Sequence, residues 1–215
     1  MAMASRFLPA TVLGAVLLAP ALAGTPALAQ SPPGGSPAPD WVAPPSNLPR
    51  PGRGERTFSL DTLFDALKIA PDAESAKAIE ERIWSLWMVS GSDTCNLLMG
   101  RVKVAADGKD YDLAVKLLDA VIELKPGYTE AWNRRATVYY LQKDYGHALA
   151  DIREVLLREP RHFGALSGLG LILQEIGDDK HALEAYRKAL AIDPHLENIG
   201  DVVKTLGEKV EGRDI

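Results

Sequence analysis

The sequence predicts an all-α fold: a solenoid of three stacked helix pairs, with two flanking helices before it and a capping helix after it. Ala114, Ala148 and Ala182 fall 34 residues apart, and Pro126, Pro160 and Pro194 keep the same interval, so two unlike residue types share one period. Between these markers apolar residues recur every three to four positions, the stripe of a helix that buries one face. A hydrophobic fraction of 47% over 215 residues is that of an ordinary globular chain able to bury a core.

Residues 1–29 are expected to stand outside that core. Arg6 precedes an apolar run from Phe7 to Leu18, and Ala27-Leu28-Ala29 ahead of Gln30 has the small-x-small form of a secretory cleavage site, with Ala21-Leu22-Ala23 as a second candidate. Pro20, Gly24 and Pro26 interrupt the run short of the ~20 apolar residues a spanning helix needs, so cleavage between Ala29 and Gln30 and a periplasmic location are expected, with no stable membrane span afterwards. Losing Arg6 with the leader takes the net charge from −5 to −6. Such an acidic chain is a poor match for nonspecific nucleic-acid binding, which rests on neutralising phosphates. Cys95, the only cysteine, admits no internal disulfide and reads as buried in a helix.

Residues 30–56 are rich in Pro, Gly, Ser and Ala and offer little apolar surface to offset ordering entropy, so a disordered, extended linker is expected. Residues 57–94 hold the two flanking helices. Ser59 caps the first, which reaches Ile69 before Pro71, and the second runs from about Ala73 to Val89 with Ala76, Ile79, Ile83, Leu86 and Trp87 on one face. Trp84 and Trp87 are expected to bury against the repeat that follows, with the pair packed on the N-terminal end of the solenoid. Ser90 to Asp93 break this helix and start the next.

The repeats then occupy 95–128, 129–162 and 163–196 without gaps. Each second helix is preceded by a turn carrying Gly108, Lys143 or Gly177 and by Asp110, Asp144 or Asp178 as N-cap. Ala114, Ala148 and Ala182 are the small residues that let paired helices approach to about 8–10 Å. Each proline ends a second helix and turns the chain toward the next unit. Residues 197–215 form the cap and tail, with Leu196, Ile199, Val203, Leu206 and Val210 inward and charges outward, as a solenoid end requires.

The segments GKDYDLAVKLLDAVIELKP, QKDYGHALADIREVLLREP and IGDDKHALEAYRKALAIDP resemble the second helix of the tetratricopeptide (TPR) repeat, and Trp132, Ala136 and Tyr139 match the pattern of its first helix. With its leader and spacer, the whole chain resembles exported TPR proteins of Gram-negative bacteria. The resemblance implies a right-handed α-solenoid whose first helices line a concave groove holding a peptide or protein partner. Carried over position by position, the ligand-binding groove residues are Asn96, Lys103, Asn133, Arg134, Thr137, Tyr140, Ser167 and Gln174. A subset of the family grips a chaperone's C-terminal carboxylate. The matching positions here hold Met99, Lys103, Arg134, Gly164 and Gly168, so most of that clamp is missing and chaperone-tail binding is not expected.

No catalytic set, cofactor or metal site is expected. His147 and His181 lie one repeat apart, about 10 Å by helix packing, too far for shared ligation at ~2 Å, and read as solvated. Gly168-Leu169-Gly170 lacks the preceding strand and third glycine of a dinucleotide loop. The expected function is a non-catalytic scaffold or adaptor in periplasmic assembly or envelope maintenance. The alternatives are a self-associating structural protein, with Trp84, Trp87 or the linker at the contact, and, more remotely, an enzyme with an unrecognised site.

Overall fold

In the computed structural model, residues 59–212 are described, and the signal and linker readings for 1–56 lie outside them. Nine helices and no strands occur among the described residues: α1 (Leu60–Lys68), α2 (Ala73–Trp87), α3 (Asp93–Asp107), α4 (Tyr111–Leu124), α5 (Thr129–Leu141), α6 (Tyr145–Arg158), α7 (Phe163–Glu175), α8 (Asp179–Ile192) and α9 (Ile199–Glu211). The pairs α3–α4, α5–α6 and α7–α8 are the three repeats.

Identical local chemistry shapes each pair. Asp110, Asp144 and Asp178 accept the backbone N–H of Leu113, His147 and His181, satisfying one orphan donor of each second helix. The same three residues close the preceding helix, because their own N–H groups donate to Ala105, Tyr139 and Leu173 in a Schellman turn. That turn needs a left-handed residue just before the aspartate. Lys109, Lys143 and Gly177 fill it with φ of 59°, 61° and 85°. Gly108, expected to serve the first turn, is instead right-handed at φ −78° and lies one position too early.

The core follows the repeat. Ala114, Ala148 and Ala182 are completely buried, as are Leu118, Ile152 and Tyr186 four residues later. In the third pair Gly170 lies under the Tyr186 ring, where a Cβ would come within 2.6 Å of a ring carbon. Cys95 is buried in the first repeat's cluster. At the C-terminal end α9 covers α8 through Ile199 and Leu206, and Arg187 holds Glu211 with two contacts of 2.6 and 2.7 Å. Val210, expected in the inward stripe, is exposed.

The flanking helices depart from expectation. Their apolar faces do not pack on the first repeat: α1 and α2 share a single apolar cluster with α7, α8 and α9. Trp84 and Trp87 are buried, as expected, but against the third repeat, with Trp87 stacked on His162 at 4.0 Å and both rings within 5.6 Å of Phe163. The hairpin runs as a strap across all three turns that end the second helices. Its last residues meet the first turn, where Tyr128 Oη donates to the Met88 carbonyl at 3.0 Å and Lys125 Nζ donates to the Ser90 carbonyl. Both helices of the hairpin meet the second turn, α2 through Trp84 and Trp87 on His162 and α1 through Arg161, which pairs with Asp61 at 2.7 Å and lies over the Phe64 ring; the connection between the two helices meets the third turn, where His195 Nε2 bonds the Ala70 carbonyl at 2.9 Å. The physical reason is the amount of aromatic surface on offer, since Phe163 and His162 at the second turn form the counterpart to Phe64, Trp84 and Trp87.

Candidate functional site: the groove between α5 and α7

First helices of consecutive repeats stand side by side, and between α5 and α7 they leave a shallow depression that opens to solvent. Asn133, Ala136, Thr137 and Tyr140 form one wall, Gly164, Gly168 and Leu171 the other, and Ile152, Ala165 and Ile172 the floor. Gly164 and Gly168, both buried, bring no side chain to this wall, which keeps it apolar and low.

The structure brings Asn133, Thr137 and Tyr140 together at this depression, but Asn133 is buried with its amide donated to Glu130, which leaves Thr137 and Tyr140 part-exposed there. The other expected groove residues are engaged elsewhere. Asn96 accepts a hydrogen bond from Ser90 Oγ at 2.6 Å and serves the α2–α3 junction. Lys103 is exposed and paired with Asp107 on its own helix at 2.6 Å. Ser167 is completely buried, and Gln174 accepts from Tyr186 Oη at 3.3 Å. Arg134 is half-buried, its Nε 3.3 Å from Glu130 and its Nη2 3.2 Å from the sulfur of Met88.

Glu130, a groove position by the family's pattern, is buried instead of facing a ligand. It is 1% exposed and lies among Arg134, the Asn133 amide at 3.2 Å and His162 Nε2 at 3.5 Å. His162 Nδ1 accepts the Ala165 N–H at 3.0 Å as the cap of α7, so in the neutral ring the proton sits on Nε2, facing Glu130. A buried carboxylate needs such partners, and supplying them consumes the cation that was expected to face a ligand. Burial, with the Glu130 charge as a smaller contribution, also pushes the Tyr128 hydroxyl above its ordinary range. No signal in the sequence shows that Glu130 is buried, because its partners are a residue one turn on and a histidine 32 positions away.

Titratable groups with catalytic geometry do not converge on the depression. His147 and His181 are exposed, each bonded to its N-cap aspartate at 2.7 Å. Both aspartates are held below the usual carboxylate range, Asp144 chiefly by the His147 backbone N–H and Asp178 chiefly by the His181 side chain. Among the described residues no group of three or more metal-ligating side chains gathers, and no helix is long and apolar enough to cross a membrane.

The tetratricopeptide-repeat profile matches residues 99–156 and 163–196. A TPR repeat-containing protein of Rhizobium etli is 42% identical over 153 residues, covering 71% of this chain and 75% of the relative. The chain belongs to the TPR family. Solved TPR structures agree in fold at lower identity. The first TPR of Spaghetti (RPAP3), bound to an HSP90 peptide, superposes with a TM-score of 0.53 at 16% identity, covering 56% of this chain and 95% of that one. A MamA fragment from Desulfovibrio magneticus covers 71% of this chain and 83% of its own at 21% identity and a TM-score of 0.50.

Proposed function

We propose that this TPR protein is an exported, non-catalytic adaptor that holds an extended segment of a partner protein in the groove between α5 and α7. The observation that carries the reading is the depression itself, apolar along its floor, walled by Gly164 and Gly168 and edged by the part-exposed hydroxyls of Thr137 and Tyr140. An extended backbone can meet those polar groups while one apolar side chain fills the space between the glycines. Spaghetti's first TPR, bound to an HSP90 peptide, is an example of this fold binding a peptide.

The ligand class differs from an acidic tail. Arg134 is paired with buried Glu130 and Lys103 with Asp107, which leaves no spare cation of the expected set to clamp a terminal carboxylate. An uncharged segment with an apolar anchor is the better match.

Affinity capture from the native host tests the reading. Wild-type protein and Lys103→Ala should recover the same partner, whereas Thr137→Arg/Tyr140→Ala should lose it. Equal recovery by all three would sink the groove assignment. A role in periplasmic assembly or envelope maintenance rests on the leader and its Ala27-Leu28-Ala29 site. Its test is the N-terminus of protein from a periplasmic extract, expected at Gln30; protein found only in the cytoplasm with Met1 intact would refute it.

A further inference from the structure

Among the described residues, the face of the first repeat that points away from the second is apolar and uncovered. Leu97 and Val104 of α3 are 69% and 73% exposed. Their equivalents in the next two repeats are Ala131 and Val138 of α5, 0% and 3% exposed, and Ala165 and Ile172 of α7, 1% and 2% exposed. Ala131 and Val138 share a cluster with Cys95, Met99 and Val102 of the first repeat, and Ala165 and Ile172 share one with Ala136 and Ile152 of the second. At these positions the preceding repeat therefore supplies the cover. Before α3 there is no repeat, and the hairpin that could have taken its place is docked on the third repeat. A solenoid end that faces water carries a polar surface. At the other end α9 does so with exposed Asp201, Lys204, Glu208 and Lys209, whereas α3 shows leucine and valine.

We propose that a second copy of this chain covers this face, the two α3 helices packing antiparallel across a twofold axis at Gly100 and Arg101. A twofold contact requires a self-complementary patch. The midpoint of Leu97 and Val104 falls between Gly100 and Arg101, so antiparallel α3 helices set each copy's Leu97 against the other's Val104. Gly100 is exposed, and a Cβ there would meet nothing within 4 Å, so on its side of the axis the helices can reach an ordinary separation of about 8–10 Å, while the exposed Arg101 side chains on the other side extend outward past one another into solvent. The same register brings Asp93, at the start of one α3, beside Lys109, just past the end of the other, twice over. Both are exposed, and neither has an ion-pair partner among the described residues. Head-to-tail stacking, by contrast, would press the charged outer face of α9 onto Leu97 and Val104 and would propagate into an open filament.

The inference is independent of the groove reading and is tested by sedimentation equilibrium on the chain as the expressing cell processes it. Wild type should show a concentration-dependent monomer–dimer equilibrium. Leu97→Glu/Val104→Glu should weaken it on the order of a hundredfold or more, since four apolar side chains lose their cover, with an unchanged helical circular-dichroism spectrum because both positions face solvent in the monomer. Asp93→Lys should weaken it less, and Asp93→Lys/Lys109→Asp should recover it. Independently, Gly100→Cys should form a disulfide-linked dimer on a non-reducing gel, whereas Gly146→Cys on α6 should not. A wild type that is monomeric at every concentration, a dimer indifferent to the double glutamate variant, or equal cross-linking through residues 100 and 146 would each overturn the proposal.

Discussion

Trp87→Ala tests whether the N-terminal hairpin is an integral strap on the third repeat. Trp87 is 8% exposed, stacks on His162 at 4.0 Å, and meets Trp84 edge-on at 5.1 Å. Removing a buried Trp side chain costs about 3–5 kcal/mol, of which aromatic pairing contributes roughly 0.5–1.5 kcal/mol per contact. One feature acts the other way: the indole N–H is buried without an acceptor among the described residues, and leaving a donor dry costs about 1–3 kcal/mol. Trp87→Phe keeps most of the ring and removes that donor, so it should change stability by less than about 1.5 kcal/mol, as a shape-compatible core exchange does. Urea unfolding followed at 222 nm measures both. A double-mutant cycle locates the contact: Trp87→Ala should couple to Phe163→Ala by at least about 0.5 kcal/mol and be additive with Met99→Ala in the first repeat. Additivity with Phe163 together with coupling to Met99 would refute the strap.

Two further outcomes follow from local chemistry. Lys109 and Lys143 occupy left-handed positions where the third repeat has Gly177, so Lys109→Gly and Lys143→Gly should each stabilise by up to about 1 kcal/mol and Gly177→Lys should cost a similar amount, all readable as shifts in urea midpoint. Burial of Glu80 on α2, aided by the facing Asp193 carboxylate, pushes its carboxyl up to about 8, and burial also raises Asp193. Because the folded protein keeps a proton that the unfolded chain releases above about pH 4.5, this contact stabilises fully below that pH and its contribution is lost as pH rises toward 8. Thermal melting from pH 5 to 9 should therefore fall for wild type and flatten for Glu80→Gln, whose amide can donate to Asp193 at every pH. A slope unchanged by the substitution would exclude this pair as its source.

What the sequence makes legible is whatever repeats. Ala114, Ala148, Ala182, the three prolines and the three capping aspartates act within about 20 residues of themselves, and period and capping rules locate them without knowledge of the tertiary arrangement. In the first repeat the sequence offers Gly108 as the turn residue, but the left-handed position is the one just before the capping aspartate, and there the chain has Lys109. The strap was not legible. Its contacts join Ala70 to His195, Asp61 to Arg161 and Trp87 to His162, separations with no local pattern, and an N-terminal helix pair beside a solenoid has its nearest apolar surface on the first repeat. The groove was legible in part. The family's positions found Asn133, Thr137 and Tyr140, but Arg134 and Ser167 face or enter the interior because buried Glu130 and the close approach of α5 to α7 claim them.

The account turns on the groove, and site-specific photo-crosslinking in the native host tests it most directly. A photoreactive residue at Thr137 or Tyr140 should form an adduct with one partner protein, and the same residue at exposed Arg153 on α6 should not. Equal adducts at all three positions, or an adduct at Arg153 alone, would contradict the account.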